Sequence, residues 1–338
     1  MSEPRLHGPA DSSDPTAPAT SALLARCTFP DPGSDLVCGV SGGPDSLALL
    51  VLAAASGCRV TAVHVDHGLR PGSAAEADVV AGAARRFGAR FESVRVVVED
   101  GPNLEARARH ARREVLGPDA ATGHTADDQA ETVLVNLLRG AGVDGLAAMR
   151  PGPRHPLLAL RRAETVDLCG CLGLAPVHDP SNDDPRFVRN RVRHELVPLC
   201  SAISGRDIVP VLARQARVLA GDADLLAGLA SLVDPRDAAS LAAAPQAVAR
   251  RSVRAWLTGQ AAHPPPLDAV ERVLEVARKE RRATEVPGGL RVSRSDGRLS
   301  VGPAIPPPGS GATGTPVQSG RGHPGERGTS RSEAPRGR

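Results

Sequence analysis

Between residues 35 and 139, apolar segments of strand length alternate with segments of helix length. We expect strands at 35–40, 59–65, 91–98 and 120–123, and helices at 46–55, 74–87, 103–116 and 126–139. This alternation predicts an α/β fold, in which a parallel sheet carries helices on both faces. Because ligands of such sheets bind beyond the carboxyl ends of the strands, the functional residues should lie where strands end and helices begin.

The chain has 338 residues, which is enough for two domains. Residues 34–206 hold the alternating pattern. Residues 207–300 contain amphipathic helical stretches without clear strands, so we predict a small, mainly helical second domain there. We predict disorder for residues 1–33, which are rich in Pro, Ser and Asp, and for the tail at 301–338, which is rich in Gly, Pro and Arg.

Composition excludes several classes of protein. The only lysine is Lys279, so no phosphate loop of the type Gly-x-x-x-x-Gly-Lys-Ser/Thr precedes a catalytic helix. Four Phe, one Trp and no Tyr leave few platforms for stacking nucleobases. No apolar run approaches the roughly 18 residues of a membrane span, so we expect no membrane contact. The six cysteines lack disulfide or zinc-ligand spacing, which favours a reducing cytoplasm.

A glycine-rich loop follows the first predicted strand and opens the first helix: Ser41, Gly42, Gly43, Pro44, Asp45 and Ser46. Two glycines let the backbone approach a ligand closely, and the amide groups and dipole of the first helical turn favour an anion. Asp45 would repel a bare phosphate, so it suits a Mg²⁺ ligand or a clamp on the loop. The alternative is an ordinary strand–turn–helix connection in which the glycines serve geometry alone.

Two further junctions carry polar side chains. Asp66, His67 and Arg70 follow the second strand, where the first two could contact adenosine or its ribose and Arg70 a phosphate. Arg109 and Arg112 lie three residues apart on the predicted helix 103–116 and could neutralise phosphate charge. A solvated loop and a solvated, charged helix face are the alternatives.

The fourth strand ends at His124, and three acids follow it: Asp127, Asp128 and Glu131. Their spacing clusters the carboxylates in the first turns of one helix. Acids at a helix N-terminus also stabilise the helix dipole, which explains one of them more easily than three beside a histidine. A carboxylate cluster next to a phosphate site suits a cationic amine or a magnesium ion.

A basic segment closes the sheet domain. It contains four arginines with no acid between them, namely Arg186, Arg189, Arg191 and Arg193. Such a stripe is a plausible track for RNA phosphates. An exposed, arginine-rich helix is the alternative.

Taken in order, these segments resemble one family. SGGPDS matches the SGGxDS loop of the N-type ATP pyrophosphatases, also called the PP-loop superfamily. The segments VDHGLR, NLEARARHARR, GHTADDQAET, HPLLALRR and DPSNDDPRFVRNRVRHEL resemble those of the tRNA(Ile)-lysidine synthetases. The resemblance spans about residues 34–200 and implies a Rossmann-like domain of the adenine-nucleotide alpha hydrolase type.

That family ligates free lysine to C2 of the wobble cytidine in the CAU anticodon of isoleucine tRNA, which then decodes AUA. The resemblance implies that ATP adenylates the C2 oxygen and releases pyrophosphate, after which the lysine amine expels AMP. It implies the cofactors ATP and Mg²⁺, and as partners isoleucine tRNA, free lysine and, as one option, a second copy of the chain in a homodimer.

The resemblance also implies roles for individual residues. The ATP site would be formed by Ser41, Gly42, Gly43, Pro44, Asp45, Ser46, Asp66, His67 and Arg70, with Mg²⁺ on Asp45. Lysine would bind Asp127, Asp128 and Glu131. The catalytic set would be Asp45, Arg109, Arg112, His124, Asp127, Asp128 and Glu131, and tRNA would contact Arg186, Arg189, Arg191, Arg193 and the helical domain.

Two other functions fit parts of this pattern. One is another PP-loop enzyme that modifies tRNA or forms amides; the absence of a Cys-x-x-Cys motif counts against tRNA thiolation. The other is a catalytically silent protein that binds nucleotide or RNA. Release of pyrophosphate distinguishes an enzyme from the silent alternative.

Overall fold

A computed structural model describes residues 17–66, 73–96, 104–260 and 264–304. Contacts divide the chain into two compact units between Leu232 and Val233. The helices and strands of the first unit are α1 (Ala17–Leu24), β1 (Asp35–Gly39), α2 (Pro44–Ala55), β2 (Arg59–Asp66), α3 (Ser73–Arg86), β3 (Arg90–Arg95), α4 (Leu104–Leu116), β4 (Ala121–Thr122), α5 (Ala126–Leu138), α6 (Val143–Leu146), α7 (Arg162–Cys171), α8 (Val188–Arg191), α9 (Val197–Ser204) and α10 (Val209–Ser231). A 3-10 turn (Pro180–Asp183) and a π-helical turn (Val192–Leu196) complete it.

The four strands of the first unit form one parallel sheet in the order β3-β2-β1-β4. Successive side chains of a strand face opposite sides of the sheet. In β2, Ala62 joins the large core cluster with α2 and α3, whereas Val63 packs in a smaller cluster with Leu116 of α4. Helices therefore cover both faces, and the predicted α/β fold is confirmed.

Helix α2 carries the glycine-rich loop at its N-terminus, and its burial fixes that loop in place. Leu47, Leu49, Leu50 and Leu52 are fully buried. Burying a leucine side chain contributes about 1.5–3 kcal/mol, so these four anchor the helix firmly on the sheet. The loop is thereby attached to a helix whose leucines are fully buried in the core.

The segment before β1 is ordered over residues 17–33, although we predicted disorder for 1–33. Leu24 and Phe29 pack against the core, and the backbone N–H of Thr28 donates to the Pro156 oxygen over 3.1 Å. Arg26 pairs with Glu164 at the start of α7. Apolar residues spaced along this short segment outweigh its Pro and Ser content; residues 1–16 lie outside the described part of the chain.

The division between the units falls later than the predicted boundary at 206/207. Helix α10 packs along α5, where Val209, Leu212 and Ala216 share a core cluster with Val133 and Leu134. These contacts place α10 in the first unit. An amphipathic pattern marks a helix but does not show which domain buries its apolar face, and for that reason the boundary was misplaced.

The second unit combines helices with a sheet that we did not predict. Its helices are α11 (Ala238–Ala243), α12 (Gln246–Thr258) and α13 (Leu267–Ala277), and the antiparallel sheet β5-β6-β7 consists of Ala283–Val286, Leu290–Ser295 and Arg298–Pro303. Val292 and Leu299 of the sheet pack against α13 and α12 in one core. Strand β7 continues into the tail that we predicted to begin at 301; residues 305–338 lie outside the described part.

No single helix among the described residues is both long and apolar enough to cross a membrane. Within the described part of the chain, one bent pair of helical segments reaches that length and composition when both segments are counted together: Val188–Ser204 and Val209–Ser231.

Candidate active site

A cavity of about 340 Å³ opens at the carboxyl ends of β1 and β4, in the first unit. One wall is the loop after β1, where Ser41, Gly43, Pro44, Asp45 and Ser46 line the cavity and the predicted Gly42 does not. A second is the end of β4, from Thr122 to His124. The remaining lining residues are Gly39, Arg112, Asp128, Asn182, Phe187, Arg189, Asn190 and Arg193. The prediction that strand ends would gather the polar residues is confirmed for these positions.

The glycine-rich loop is held by hydrogen bonds of Ser46. Its hydroxyl donates to the Gly43 oxygen over 2.9 Å and accepts from the backbone N–H of Ser41 over 3.2 Å. Gly42 has φ of +86°, a conformation that glycine adopts without strain. Helix α2 starts at Pro44 without a side-chain cap, and its first residues line the cavity, so the positive end of its dipole lies there. This geometry is that of an anion site.

Gly123 lets the end of β4 lie against the loop. A Cβ atom at this position would stand 2.5 Å from the Asp45 carbonyl oxygen, which is closer than real Cβ contacts. Only glycine therefore permits this approach without displacing the loop. The sequence offered no reason to single out Gly123, because the contact joins residues far apart in the chain.

The predicted acids are held by arginines in a tight cluster. Glu131 is 2% exposed and accepts four hydrogen bonds: two from Arg193 (2.7 and 3.1 Å), one from Arg189 (3.0 Å) and one from Arg162 (3.1 Å). A carboxylate has about four lone-pair positions, so all are occupied. An ammonium group could bind Glu131 only by displacing an arginine.

Asp128 is similarly occupied. It accepts from the Thr125 backbone and hydroxyl (2.9 and 3.0 Å) and from Arg162 and Arg189 (3.1 and 2.9 Å). Burial alone would raise the pKa of Asp128, but the neighbouring guanidinium groups outweigh it and lower the pKa to about 2. The carboxylate is thus charged at neutral pH.

Asp127 faces away from the cavity toward Arg161. The two form a bidentate pair with both N–O distances at 3.1 Å, and the Arg162 backbone N–H donates to Asp127 over 2.8 Å. Burial acts to raise the pKa of Asp127, and these hydrogen bonds overcome it and lower the pKa. Of the three acids predicted for lysine, only Asp128 lines the cavity.

Of the two acids that line the cavity, Asp45 is the one with acceptor capacity left. It lines the cavity, accepts from the Thr165 hydroxyl and accepts from Arg162 over 3.3 Å. Burial raises the pKa of Asp45, and the hydrogen bonds from Thr165 and Arg162 only partly offset it. Two occupied positions out of about four leave room for a cation.

The predicted arginine stripe is not one continuous exposed surface. Arg189 and Arg193 turn inward and pair with Glu131, because a fully buried carboxylate requires positive partners. Arg186 and Arg191 stay at the surface, where they pair with Asp184 (2.6 Å) and Glu195 (2.9 Å). The predicted four-arginine stripe for RNA phosphates is therefore contradicted for Arg189 and Arg193, and it stays a prediction for Arg186 and Arg191.

His124 is held through Thr122 and His155. The Thr122 hydroxyl lies 3.2 Å from the Arg154 oxygen, 2.8 Å from Nδ1 of His124 and 3.0 Å from Nδ1 of His155. The hydroxyl has one proton, and if it donates to the carbonyl, both imidazoles must donate to it from Nδ1. We assign this arrangement, which leaves Nε2 of His124 as an acceptor.

Burial lowers the pKa of His124 to about 4, and this effect exceeds the opposing influence of Asp128. The imidazole is therefore neutral at pH 7. Its Nε2 can accept a hydrogen bond in the cavity, but the ring adds no positive charge there. Arg112, also on the cavity wall, supplies such a charge.

The remaining predicted site residues either do not line the cavity or have side chains outside the described part of the chain. Asp66 ends β2 but does not line the cavity. Arg109 lies in α4, and its side chain is outside the described part, as are His67 and Arg70 altogether. No group of three or more His, Cys, Asp or Glu among the described residues could hold a metal ion alone. Mg²⁺ bound to nucleotide needs only one or two carboxylates, and Asp45 fits that requirement.

Sequence reasoning missed several residues of the site. Arg161 and Arg162 between them pair with Asp45, Asp127, Asp128 and Glu131, yet the sequence marked them only as the end of the segment HPLLALRR. His155 begins the same segment, and Phe187 lies in DPSNDDPRFVRNRVRHEL, but neither was singled out. Thr165 carried no signal.

Comparison with known proteins adds an independent observation. A PP-loop domain model matches residues 18–200, and a TilS substrate binding domain model matches residues 237–300. A tRNA(Ile)-lysidine synthase of Nocardia farcinica is 42% identical over 287 residues, covering 78% of this chain and 90% of its own length. The chain belongs to the tRNA(Ile)-lysidine synthase family.

Other relatives agree with this family assignment. The tRNA(Ile)-lysidine synthase of Salinispora arenicola is 40% identical and covers 84% of this chain and 95% of its own length. A solved U34-tRNA thiolase from Methanococcus maripaludis is 18% identical, covers 61% of this chain and 80% of its own, and has a TM-score of 0.49. The latter likeness is too loose to add weight. The family resemblance predicted from the sequence is confirmed.

Proposed function

We propose that this chain ligates free lysine to C2 of the wobble cytidine in the CAU anticodon of isoleucine tRNA, using ATP. The supporting observation is that one cavity combines the anion site at the N-terminus of α2 with Asp45, a carboxylate that retains acceptor capacity. The reaction needs a site for the phosphates of ATP and a site for the cationic amine. The family membership supports the choice of substrate, and the cavity supports the chemistry.

The first step transfers AMP to the base. The C2 oxygen of cytidine attacks the α-phosphorus of ATP, the bond to the bridging oxygen breaks, and pyrophosphate leaves. The backbone N–H groups of Gly43 and Asp45 would hold the departing phosphates, and Arg112 would offset the charge that develops on the transferring phosphate. Nε2 of His124, on a neutral ring, would accept a hydrogen bond from the substrate.

In the second step, the neutral ε-amine of lysine attacks C2, the C2–O bond breaks, and AMP leaves. Mg²⁺, when bound, neutralises phosphate charge, and Asp45 is the residue that would hold it beside the nucleotide. Asp45 is the cavity-lining acid that retains acceptor capacity for the lysine side chain, whereas Asp128 is occupied by Thr125 and two arginines. Asp127 and Glu131 would act by positioning arginines.

A filter assay of labelled lysine on tRNA tests this proposal. Wild-type protein with ATP and Mg²⁺ should label isoleucine tRNA bearing CAU, and Asp45→Asn should lose at least about two orders of magnitude of rate. Asp35→Asn is the matched control, because Asp35 pairs with Arg59 at the surface and should leave the rate unchanged.

The alternatives give different results. AMP formation with ammonia but not lysine would indicate an amide-forming relative. Binding of ATP and tRNA without AMP formation would indicate a silent binding protein. A cytoplasmic location and a homodimer stay predictions that this assay does not address.

A further inference from the structure

The five large aromatic side chains of this chain occupy two kinds of environment. Phe29, Phe87 and Phe91 pack against the core of the first unit, and Trp256 packs against the core of the second. Phe187 belongs to none of the hydrophobic clusters of the described chain. It is half-buried and lines the cavity, beside polar residues. A core role therefore does not account for it.

The backbone at Phe187 is held on both sides. Its N–H donates to the Asp184 oxygen over 3.2 Å, and its carbonyl oxygen accepts from the N–H of Arg191 over 3.1 Å. The Asn190 side chain donates to the same Asp184 oxygen over 2.9 Å. The ring is thus mounted on a fixed turn at the start of α8. A fixed aromatic face costs little conformational entropy when a flat ligand binds to it.

Chemistry on a base requires that the base leave the helical stack and enter a pocket. Enzymes of this kind receive the extruded base by stacking it on aromatic or apolar side chains and by hydrogen bonds to its edge. The cavity offers one phenyl face, Phe187, beside the imidazole of His124, with the carboxamide of Asn182 also on its wall. Amides supply both a donor and acceptors, which suits the mixed edge of a pyrimidine.

We propose that Phe187 is the stacking platform for the wobble cytidine that receives lysine. This inference rests on the proposed function. A tRNA base is favoured over the adenine of ATP because Arg186 and Arg191 flank the segment, and their side chains are 85% and 61% exposed. Exposed arginines beside a base site suit the neighbouring phosphates of an RNA strand.

Steady-state kinetics of Phe187→Leu test this role. Leucine keeps the apolar bulk but removes the aromatic face. We expect KM for isoleucine tRNA to rise about tenfold, since stacking contributes roughly 1–3 kcal/mol per base. KM for ATP and for lysine should stay at the wild-type value, and Phe187→Tyr should restore KM for tRNA.

Phe91→Leu is the matched control, because Phe91 packs against the core. It should lower Tm and leave KM for tRNA unchanged. An unchanged KM for tRNA in Phe187→Leu would overturn the inference, and a rise confined to KM for ATP would instead assign the ring to adenine. If wild-type protein forms no lysidine, the proposed function fails, and that outcome is separate from any result on Phe187.

Discussion

The substitution Glu131→Gln removes one negative charge from the centre of the arginine cluster. Glu131 accepts four hydrogen bonds from three arginines while 2% exposed. A glutamine oxygen can accept two of them, and its NH₂ group would face the other donors. Two lost hydrogen bonds to charged groups correspond to about 3–5 kcal/mol, the range seen when a buried ion pair loses one partner.

A loss of this size is easily measured. For a unit of this length, 1 kcal/mol shifts Tm by about 2–4 °C, so we expect Glu131→Gln to lower the Tm of the first unit by about 10 °C. The matched control is Glu195→Gln, since Glu195 pairs with Arg191 at the surface and both side chains are more than half exposed. Its Tm should change by less than about 2 °C.

Circular dichroism during heating gives both values under one condition. If Glu131→Gln and Glu195→Gln shift Tm equally, the buried cluster does not stabilise the fold in the way argued above. A large shift for Glu131→Gln with retained ATP binding would show that the acid holds arginines rather than ligand.

Two further predictions follow from single contacts. Gly123→Ala places a Cβ atom 2.5 Å from the Asp45 oxygen and should reduce lysine transfer more than about tenfold, whereas Gly82→Ala, whose Cβ would meet nothing within 4 Å, should leave transfer unchanged and slightly stabilise α3. His124 has a folded pKa of about 4 against 6.5 unfolded, so the unfolded chain binds more protons between these values. Stability should therefore rise with pH through this window, by up to roughly 3 kcal/mol. In His124→Asn the urea midpoint should change less between pH 5 and pH 7 than in wild type; an equal change in both proteins would contradict the assignment.

The α/β half of the fold was predictable because its signals are local. Apolar strands such as Arg59–Asp66, and the glycine-rich loop before α2, can each be predicted from the residue pattern of a few consecutive positions. The antiparallel strands at 283–303 also carry a local signal, since apolar and polar residues alternate in Leu290–Ser295 and Arg298–Pro303, but each strand has at most six residues and we predicted only helices there. The ordered segment at 17–33 depends on contacts with residues near 156 and 164, which no local pattern contains.

The candidate site shows the same limit. The loop residues, His124 and the acids were found because each lies at a strand end. The partners of the acids were not found: Glu131 binds Arg189 and Arg193, which are 58 and 62 residues away. Sequence spacing grouped those arginines with Arg186 and Arg191, because all four share one short segment. Glu131 is buried through tertiary packing, and its charge draws Arg189 and Arg193 inward while Arg186 and Arg191 stay at the surface.

The most direct test of the account is the mass of the nucleoside at position 34 of isoleucine tRNA after incubation with protein, ATP, Mg²⁺ and lysine. Wild-type protein should increase that mass by one lysine less one water, with one AMP released per modified tRNA, and Asp45→Asn should leave the mass unchanged. An unmodified nucleoside with wild-type protein, or a modified one without AMP release, would contradict the account.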